Sequence, residues 1–225
     1  MISPKFEISH PKAEESREIA KIHFSLIPGS QLSNLGLDFL DKCYYRKMIE
    51  DDEFVCLVAK FNGVITGFIS GVLNEERIFL RLVIKNIWYF FFNVLRLLFT
   101  SSLSIGYLSS ALKRVLSQDK NFRHLKAKLL SLAVLPEYRS REFRNKHGIH
   151  IAKDLFYAWV QLLREKGVEE FKFVTPKSKS SVIGLYKMFR VPIVGETHIP
   201  EGEAWVYIGN TRFITENYFE KLERH

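Results

Sequence analysis

The sequence predicts a single α/β (α+β) domain, and three stretches carry the prediction. Phe54 to Phe61 and Val64 to Leu73 are rich in Val, Ile, Phe and Leu and are joined by Asn62-Gly63, the strongest short-range signal for a tight antiparallel hairpin. The apolar run from Leu129 to Leu135 stops at Pro136, and its shortness and flanks favour a buried strand over a helix. Ile151, Leu155, Ala158, Trp159, Leu162 and Leu163 then recur every three or four residues up to Gly167. That is the spacing of an amphipathic helix followed by a residue able to end it in the left-handed conformation.

The remaining elements follow in chain order. Phe6 and Ile8 alternate with polar neighbours, which predicts a first strand over Lys5–Ile8, and Pro11 with Glu14 and Glu15 opens a helix running to about Phe24. The loop Ile27-Pro28-Gly29-Ser30 reads either as a connector or as lining for a substrate, because functional groups often sit on loops braced by rigid elements. Leu37, Leu40, Cys43, Tyr44 and Met48 form the next helical stripe, so the two helices should lie close together across that loop. Gly67 and Gly71 weaken the second strand of the hairpin and mark a bulge or the close approach of another segment.

Residues 77–125 read as a hydrophobic helical insertion between the third and fourth strands. Trp88, Phe90, Phe91, Phe92 and Phe99 crowd around Lys85 and Arg96, a texture too apolar to be left in water. A membrane span needs about 20 predominantly apolar residues, and Arg96 with the hydroxyl-rich run after Phe99 breaks the best window. Two readings of 77–116 stay open. One has helices covering the core or a second copy in a homodimer; the other has a helix lying in a membrane interface, with Lys85, Arg96, Lys113 and Arg114 near lipid phosphate.

Beyond Gly167, Glu170 to Thr175 reads as a strand. Ser178 to Phe189 reads as a helix with Val182, Leu185, Tyr186 and Phe189 on one side, Leu185 being the better placed by spacing to face the core. Pro192 to Gly195 and Ala204 to Ile208 are expected as the last strands, turning at Pro200-Glu201-Gly202, and the tail 211–225 carries a short amphipathic helix from Thr215. There is no internal repeat, so the whole of 1–225 is read as one domain.

Hydrophobic residues make up 47% of the chain, ample for one core, and 33 Lys and Arg against 25 Asp and Glu leave a formal charge of +8. That balance favours anionic partners: a phosphorylated cofactor, a membrane surface or nucleic acid. Nucleic acid is not expected, since no strand interleaves aromatic and basic residues. Cys43 and Cys56 fall in segments read as buried, and no Cys/His spacing suggests a metal. Reduced thiols, and an N-terminus without the apolar core of a signal peptide, point to the cytoplasm, with peripheral contact at the inner membrane surface if the insertion meets lipid.

Between Pro136 and the central helix lies a basic loop containing Arg139, Arg141, Arg144, Lys146 and His147 and closing with Gly148. First-turn amide hydrogens of a helix have no intrahelical partner and carry partial positive charge, so cations leading into them make a ready site for phosphate.

Strand, anion loop, helix, strand, helix and strand in that order resemble the GNAT superfamily of N-acetyltransferases. The matching phrases are Leu132-Ala133-Val134-Leu135-Pro136-Glu137-Tyr138-Arg139, Arg164-Glu165-Lys166-Gly167-Val168 and Leu185-Tyr186-Lys187-Met188-Phe189 followed by Val194-Gly195-Glu196. The resemblance implies a mixed, mostly antiparallel sheet flanked by helices. It also implies acetyl-coenzyme A as co-substrate and a small-molecule primary amine as acceptor. In such a protein the backbone of Leu132, Ala133 and Val134 would hold the pantetheine arm. Arg139, Arg144, Asn145, Lys146, His147, Gly148, Ile149 and His150 would surround the pyrophosphate.

The phosphate loop departs from the family's pattern of Gln or Arg, two residues, Gly, one residue, then Gly or Ala. Registered on Gly148, Asn145 takes the basic position and His150 the last small one; registered back from Gly167, His147, His150 and Ala152 take those places. Lys179 stands near the place of a usual asparagine, and Arg190 replaces a frequent glycine. Acetyl transfer needs a deprotonated amine, a site for negative charge on the carbonyl oxygen and an acid for the leaving thiolate. The resemblance makes Tyr186 that acid, against a plain reading as an aromatic core residue. It supplies no base: Glu137 reads as a surface residue, and His147 and His150 as phosphate or solvent contacts. The alternative function is a degenerate GNAT-fold binding module at a membrane surface or protein partner, without catalysis.

Overall fold

The computed structural model describes residues 5–28, 30, 32–85, 122, 124–199 and 202–222. Most of the apolar insertion, Pro200-Glu201 and the chain ends lie outside the described residues. Seven strands form one sheet: β1 (Phe6–Ser9), β2 (Phe54–Phe61), β3 (Val64–Val72), β4 (Ala127–Val134), β5 (Glu170–Pro176), β6 (Ile193–Ile199) and β7 (Gly202–Asn210). Their order is β1-β2-β3-β4-β5-β7-β6, and every neighbouring pair except β4 and β5 is antiparallel.

Side chains on a strand alternate between faces, and β2 shows why the sheet must be covered on both. Val55, Leu57 and Ala59 join one buried cluster, while Phe54, Cys56 and Val58 join another. The first cluster is closed by α5 (Ile151–Glu165), whose Leu155, Phe156, Trp159, Val160 and Leu163 form a fully buried stripe. The C-terminal helix α7 (Thr211–Leu222) packs on α5, where the Arg164 guanidinium donates to Thr215 Oγ1 at 2.6 Å. The second cluster is closed by α1 (Ser16–Leu26) and by a π-helical stretch, Phe39–Tyr45, that runs into a single α turn, α2 (Arg46–Ile49). The two free cysteines are buried within these layers, as their segments predict.

Two tight backbone features are visible in the sequence. Asn62 and Gly63 both take positive φ, 52° and 81°, as the twist of a two-residue hairpin requires. Gly71 lets a large ring approach: a Cβ there would lie 2.3 Å from the Trp159 indole, whose Nε1 donates to Val55 O at 3.3 Å.

The basic loop after Pro136 is largely helical, which corrects the sequence reading. Pro136–Arg139 is a 3-10 turn and Arg141–His147 is a short helix, α4. Ser140 Oγ accepts from Phe143 N at 3.1 Å at its start, Gly148 closes it at φ 69°, and basic residues fill its last turn. Those are ordinary helix signals. Phe143 docks the helix, its ring 5.1 Å from Phe61 and 5.3 Å from Tyr138. The predicted insertion begins as α3 (Glu75–Lys85), and α6 spans Ser180–Met188.

Candidate functional site

β4 and β5 run parallel but pair only at Ala127↔Phe171 and Lys128↔Lys172. Beyond that point they part, and the cause lies in β4. Leu129 faces Gly71 and Ser131 faces Ser70 across the ladder, so Leu130 is an extra residue with no partner in β3. A bulge of this kind bends the strand that carries it. β5 meanwhile stays paired with β7 along its whole length. The closed end of the fork is pinned by the Glu75 carboxylate, which is paired with the ammonium groups of Lys128 and Lys172, the latter at 3.1 Å. Burial pushes the Glu75 carboxyl up, but the two ammonium charges outweigh it and hold it below its ordinary value.

The fork opens into a cleft of about 1150 Å³. A smaller hollow of about 390 Å³ beside Leu73, His124 and Glu169 lies behind the closed end and contains no splayed edge. Leu135 N donates to Thr66 O at 2.8 Å. Partners alternate along an antiparallel ladder, so the backbone groups of Leu132 and Val134 turn away from β3 and into the gap. Ala133 faces Phe68, and its side chain is buried in the α1 layer.

The N-terminus of α5 lines the same cleft, with His150 at the N-cap position. Its side chain is exposed and lines the cleft. The His150 amide is engaged by Asp154 Oδ2 at 3.3 Å. The first-turn amides of Ile151 and Ala152 lie beyond the reach of any intrahelical carbonyl. Arg139, Arg144 and Lys179 also line the cleft; Asn145, Lys146, His147, Gly148 and Ile149 do not. His147 is half-buried, its ring 4.9 Å from Phe61 and 4.8 Å from Phe143, so it braces α4. Glu137 is exposed and outside the cleft.

Tyr186 is buried, 3% exposed, with its ring 4.4 Å from Phe173, 5.2 Å from Tyr207 and 5.6 Å from Phe156. Leu185, expected to face the core, is half-buried against the cleft wall. Phe189, one turn on and buried, sets the rotation of α6 and brings Tyr186 inward with it. Burial raises the phenol pKa well above its ordinary value, with Tyr207 adding to the rise, while a hydrogen bond with the Thr175 side chain opposes it. Thr175 lies on the splayed part of β5 and lines the cleft.

One residue escaped the sequence reading. His23 sits in the buried stripe of α1, fully enclosed, and lines the cleft opposite the fork. Its Nδ1 is 2.6 Å from the Tyr45 hydroxyl and its Nε2 is 3.0 Å from Ser30 Oγ. Ser30 Oγ donates to Ser33 Oγ at 2.8 Å, and Ser33 Oγ donates to Ile27 O at 2.7 Å. Those directions leave Ser30 accepting, which assigns the proton to Nε2 and makes Nδ1 the acceptor of the Tyr45 hydroxyl. Burial lowers the imidazole pKa to about 4, so it is neutral near pH 7. A histidine on the apolar face of a helix was the available signal. Among the described residues no group of three or more His, Cys, Asp or Glu side chains could hold a metal.

A mixed sheet parted at one parallel pair by a bulge, with a helix N-terminus at the mouth of the gap, is the arrangement that the sequence resemblance implies. No family model and no curated protein matches the sequence. Solved structures do match. PaiA N-acetyltransferase from Thermoplasma acidophilum, in complex with coenzyme A, is 14% identical with a TM-score of 0.52, over 92% of this chain and 99% of its own. The Salmonella typhimurium protein yncA, solved with its cofactor acetyl-CoA, is 12% identical with a TM-score of 0.54, over 92% and 94%. Aminoglycoside 6'-acetyltransferase type Ii is 11% identical with a TM-score of 0.54, over 91% and 97%. The chain has the fold of the GNAT acetyltransferases.

Proposed function

We propose that the protein is an N-acetyltransferase that moves the acetyl group of acetyl-coenzyme A to a primary amine of a small molecule. The observation that carries this reading is the fork itself: unpaired backbone groups of Leu132 and Val134 face a cleft whose mouth is the cationic start of α5. Similar structures bind coenzyme A or acetyl-CoA, which supports the same co-substrate here. The arm would lie along β4, with Arg139, Arg144 and the Ile151 and Ala152 amides around the pyrophosphate. In the reaction the amine nitrogen bonds to the acetyl carbon, the carbon–sulfur bond breaks and the amine proton ends on sulfur. Tyr186, protonated at any physiological pH and reaching Thr175 on the splayed strand, is assigned the relay of that proton: its hydroxyl protonates the departing sulfur and is restored by the proton the amine gives up.

Calorimetry with acetyl-coenzyme A tests the binding, and a silent titration removes the enzyme. For the acid, Tyr186→Phe should lower kcat by about 10²-fold with little change in acetyl-coenzyme A affinity. An unchanged kcat removes the assignment.

A second reading, a binding module without catalysis, draws on one observation. α4 replaces the short glycine loop, and Asp154 engages the His150 amide and adds negative charge where a phosphate would sit. The apolar sequence beyond Lys85 supports an amphipathic acceptor, an amino sugar on a lipid carrier for example, and peripheral contact with a membrane or a second copy. Sedimentation with anionic vesicles tests the contact. Among the described residues no helix is long and apolar enough to cross a membrane. Buried free thiols support a reducing, cytoplasmic setting.

A further inference from the structure

A row of polar groups runs from the fork into the α1 layer. Ser131 is the first residue of β4 after the bulge; it is half-buried and lines the cleft. It faces Ser70 across the ladder, two positions along from the pair Ala133 and Phe68, so both hydroxyls lie on the face that carries α1. The Tyr45 hydroxyl meets them there. Both serines approach its oxygen closely enough to draw the phenol pKa down, although burial holds it well above its ordinary value.

From Tyr45 the row continues to His23, whose Nδ1 accepts from the phenol at 2.6 Å and whose Nε2 donates to Ser30 Oγ at 3.0 Å. Ser30 and Ser33 carry it on to the Ile27 carbonyl. The bonds thus point one way, from Ser131 at the cleft inward to His23 and outward again to Ser30. Tyr45, His23 and Ser70 are fully enclosed, and Ser70 Oγ closes no full hydrogen bond. Apolar side chains of similar size would pack with Phe39, Met48 and Phe68 at less cost, so the polarity of this row calls for a role beyond packing.

We propose that Ser131, Tyr45 and His23 are the proton-accepting side of the reaction, with Ser131 touching the acceptor nitrogen and His23 Nδ1 holding the proton it releases. This rests on the acetyltransferase reading above. An unprotonated amine becomes acidic once its nitrogen has bonded to the acetyl carbon. Its proton then passes to Ser131 Oγ as the Ser131 proton moves to Tyr45 and the Tyr45 proton to His23 Nδ1. The imidazolium keeps its Nε2 bond to Ser30. As the carbon–sulfur bond breaks, Tyr186, which belongs to the other buried cluster, protonates the sulfur. The proton held on His23 returns by the same path to the cleft and restores the Tyr186 phenol. The amide and free coenzyme A leave, and the protein has neither gained nor lost a proton. Ser131 is the catalytic residue of the three; Tyr45 and His23 act through it.

The test uses the full-length chain with acetyl-coenzyme A, following thiol release with tyramine, spermidine and kanamycin as acceptors. His23→Gln keeps a donor and an acceptor but cannot hold a proton, and Ser131→Ala removes the cleft end of the row. Each should lower kcat by about 100-fold while acceptor KM and acetyl-coenzyme A affinity stay within about twofold. Ser131→Thr, which brings back a hydroxyl, should turn over about 10-fold faster than Ser131→Ala. The two losses should not add in the double variant, because both cut one path. Additive losses, losses carried in KM or in acetyl-coenzyme A affinity, or full turnover in either single variant overturn the proposal. NMR of nitrogen-labelled histidine reads the row without turnover: the His23 proton should sit on Nε2, and the Nδ1 tautomer overturns the relay. Calorimetry keeps the two readings apart. No acetyl-coenzyme A binding by the unaltered protein sinks the transferase itself, binding with turnover unmoved by the variants sinks only the relay, and binding with no transfer to any of the three amines removes both in favour of the binding module.

Discussion

Arg190 takes φ 54° immediately after α6, in the left-handed region where a Cβ crowds the backbone. Glycine is frequent at that point in the family the sequence resembles, and Arg190 itself is exposed. Arg190→Gly should therefore stabilise the protein, by about 1 kcal/mol, read as a higher midpoint in thermal melts. His23 makes a second residue-scale prediction. Its folded pKa is about 4 against an ordinary 6.5, so between those values the unfolded chain binds a proton that the folded chain refuses. Stability is complete above pH 6.5 and drains away as pH falls toward 4, by about 3 kcal/mol over the window. His23→Gln should flatten that part of a stability-against-pH curve measured by urea unfolding. Tyr186 belongs at this scale too: its residue type was legible, but spacing alone put Leu185 ahead of Tyr186 at the core, and the inward rotation depends on buried Phe189 beyond it.

Among the elements, α5 is the most completely written in the sequence. Its apolar stripe and terminating Gly167 (φ 75°) appear where the spacing puts them. Its seat on the sheet is less visible, because it depends on Gly71 leaving space for an indole that arrives from 88 positions further along the chain. Gly71→Ala would push its Cβ into the Trp159 ring and the Lys128 carbonyl, so it should destabilise by about 3 kcal/mol, with the Val55 hydrogen bond lost as well. Chemical denaturation with tryptophan fluorescence reads both effects. α4 is the opposite case. Ser140 and Gly148 were available as caps and the basic last turn as support, but the density of cations drew attention to phosphate rather than to helix.

For the whole molecule the decisive feature is where the sheet divides. Glu75 draws Lys128 of β4 and Lys172 of β5 together, and the Lys172 ammonium also donates to Phe122 O at 3.3 Å. The chain on both sides of the insertion is thereby tied to the point of division. Because the Glu75 carboxyl is held below its ordinary value, its contribution is present above the unfolded carboxyl's pKa and is lost as pH falls through the lower folded value. Glu75→Gln should cost about 2 kcal/mol at neutral pH, leaving two ammonium groups without their counter-charge, and should remove part of the acid sensitivity below about pH 4. A melt series from pH 7 to pH 3 on both proteins checks the sign.

Local chemistry along the chain was enough for the hairpin at Asn62-Gly63, the buried strand before Pro136, the amphipathic central helix and the burial of both cysteines, because each depends on neighbours a few residues apart. The parting of β4 from β5, the His23–Tyr45 pair, the inward turn of Tyr186 and the gathering of Arg139, Arg144 and Lys179 around one cleft were decided only in three dimensions. The physical reason is that each is a relation between distant segments: a bulge exists only against the register of a partner strand, and a cleft's polarity depends on which side chains the packed layers leave facing one another.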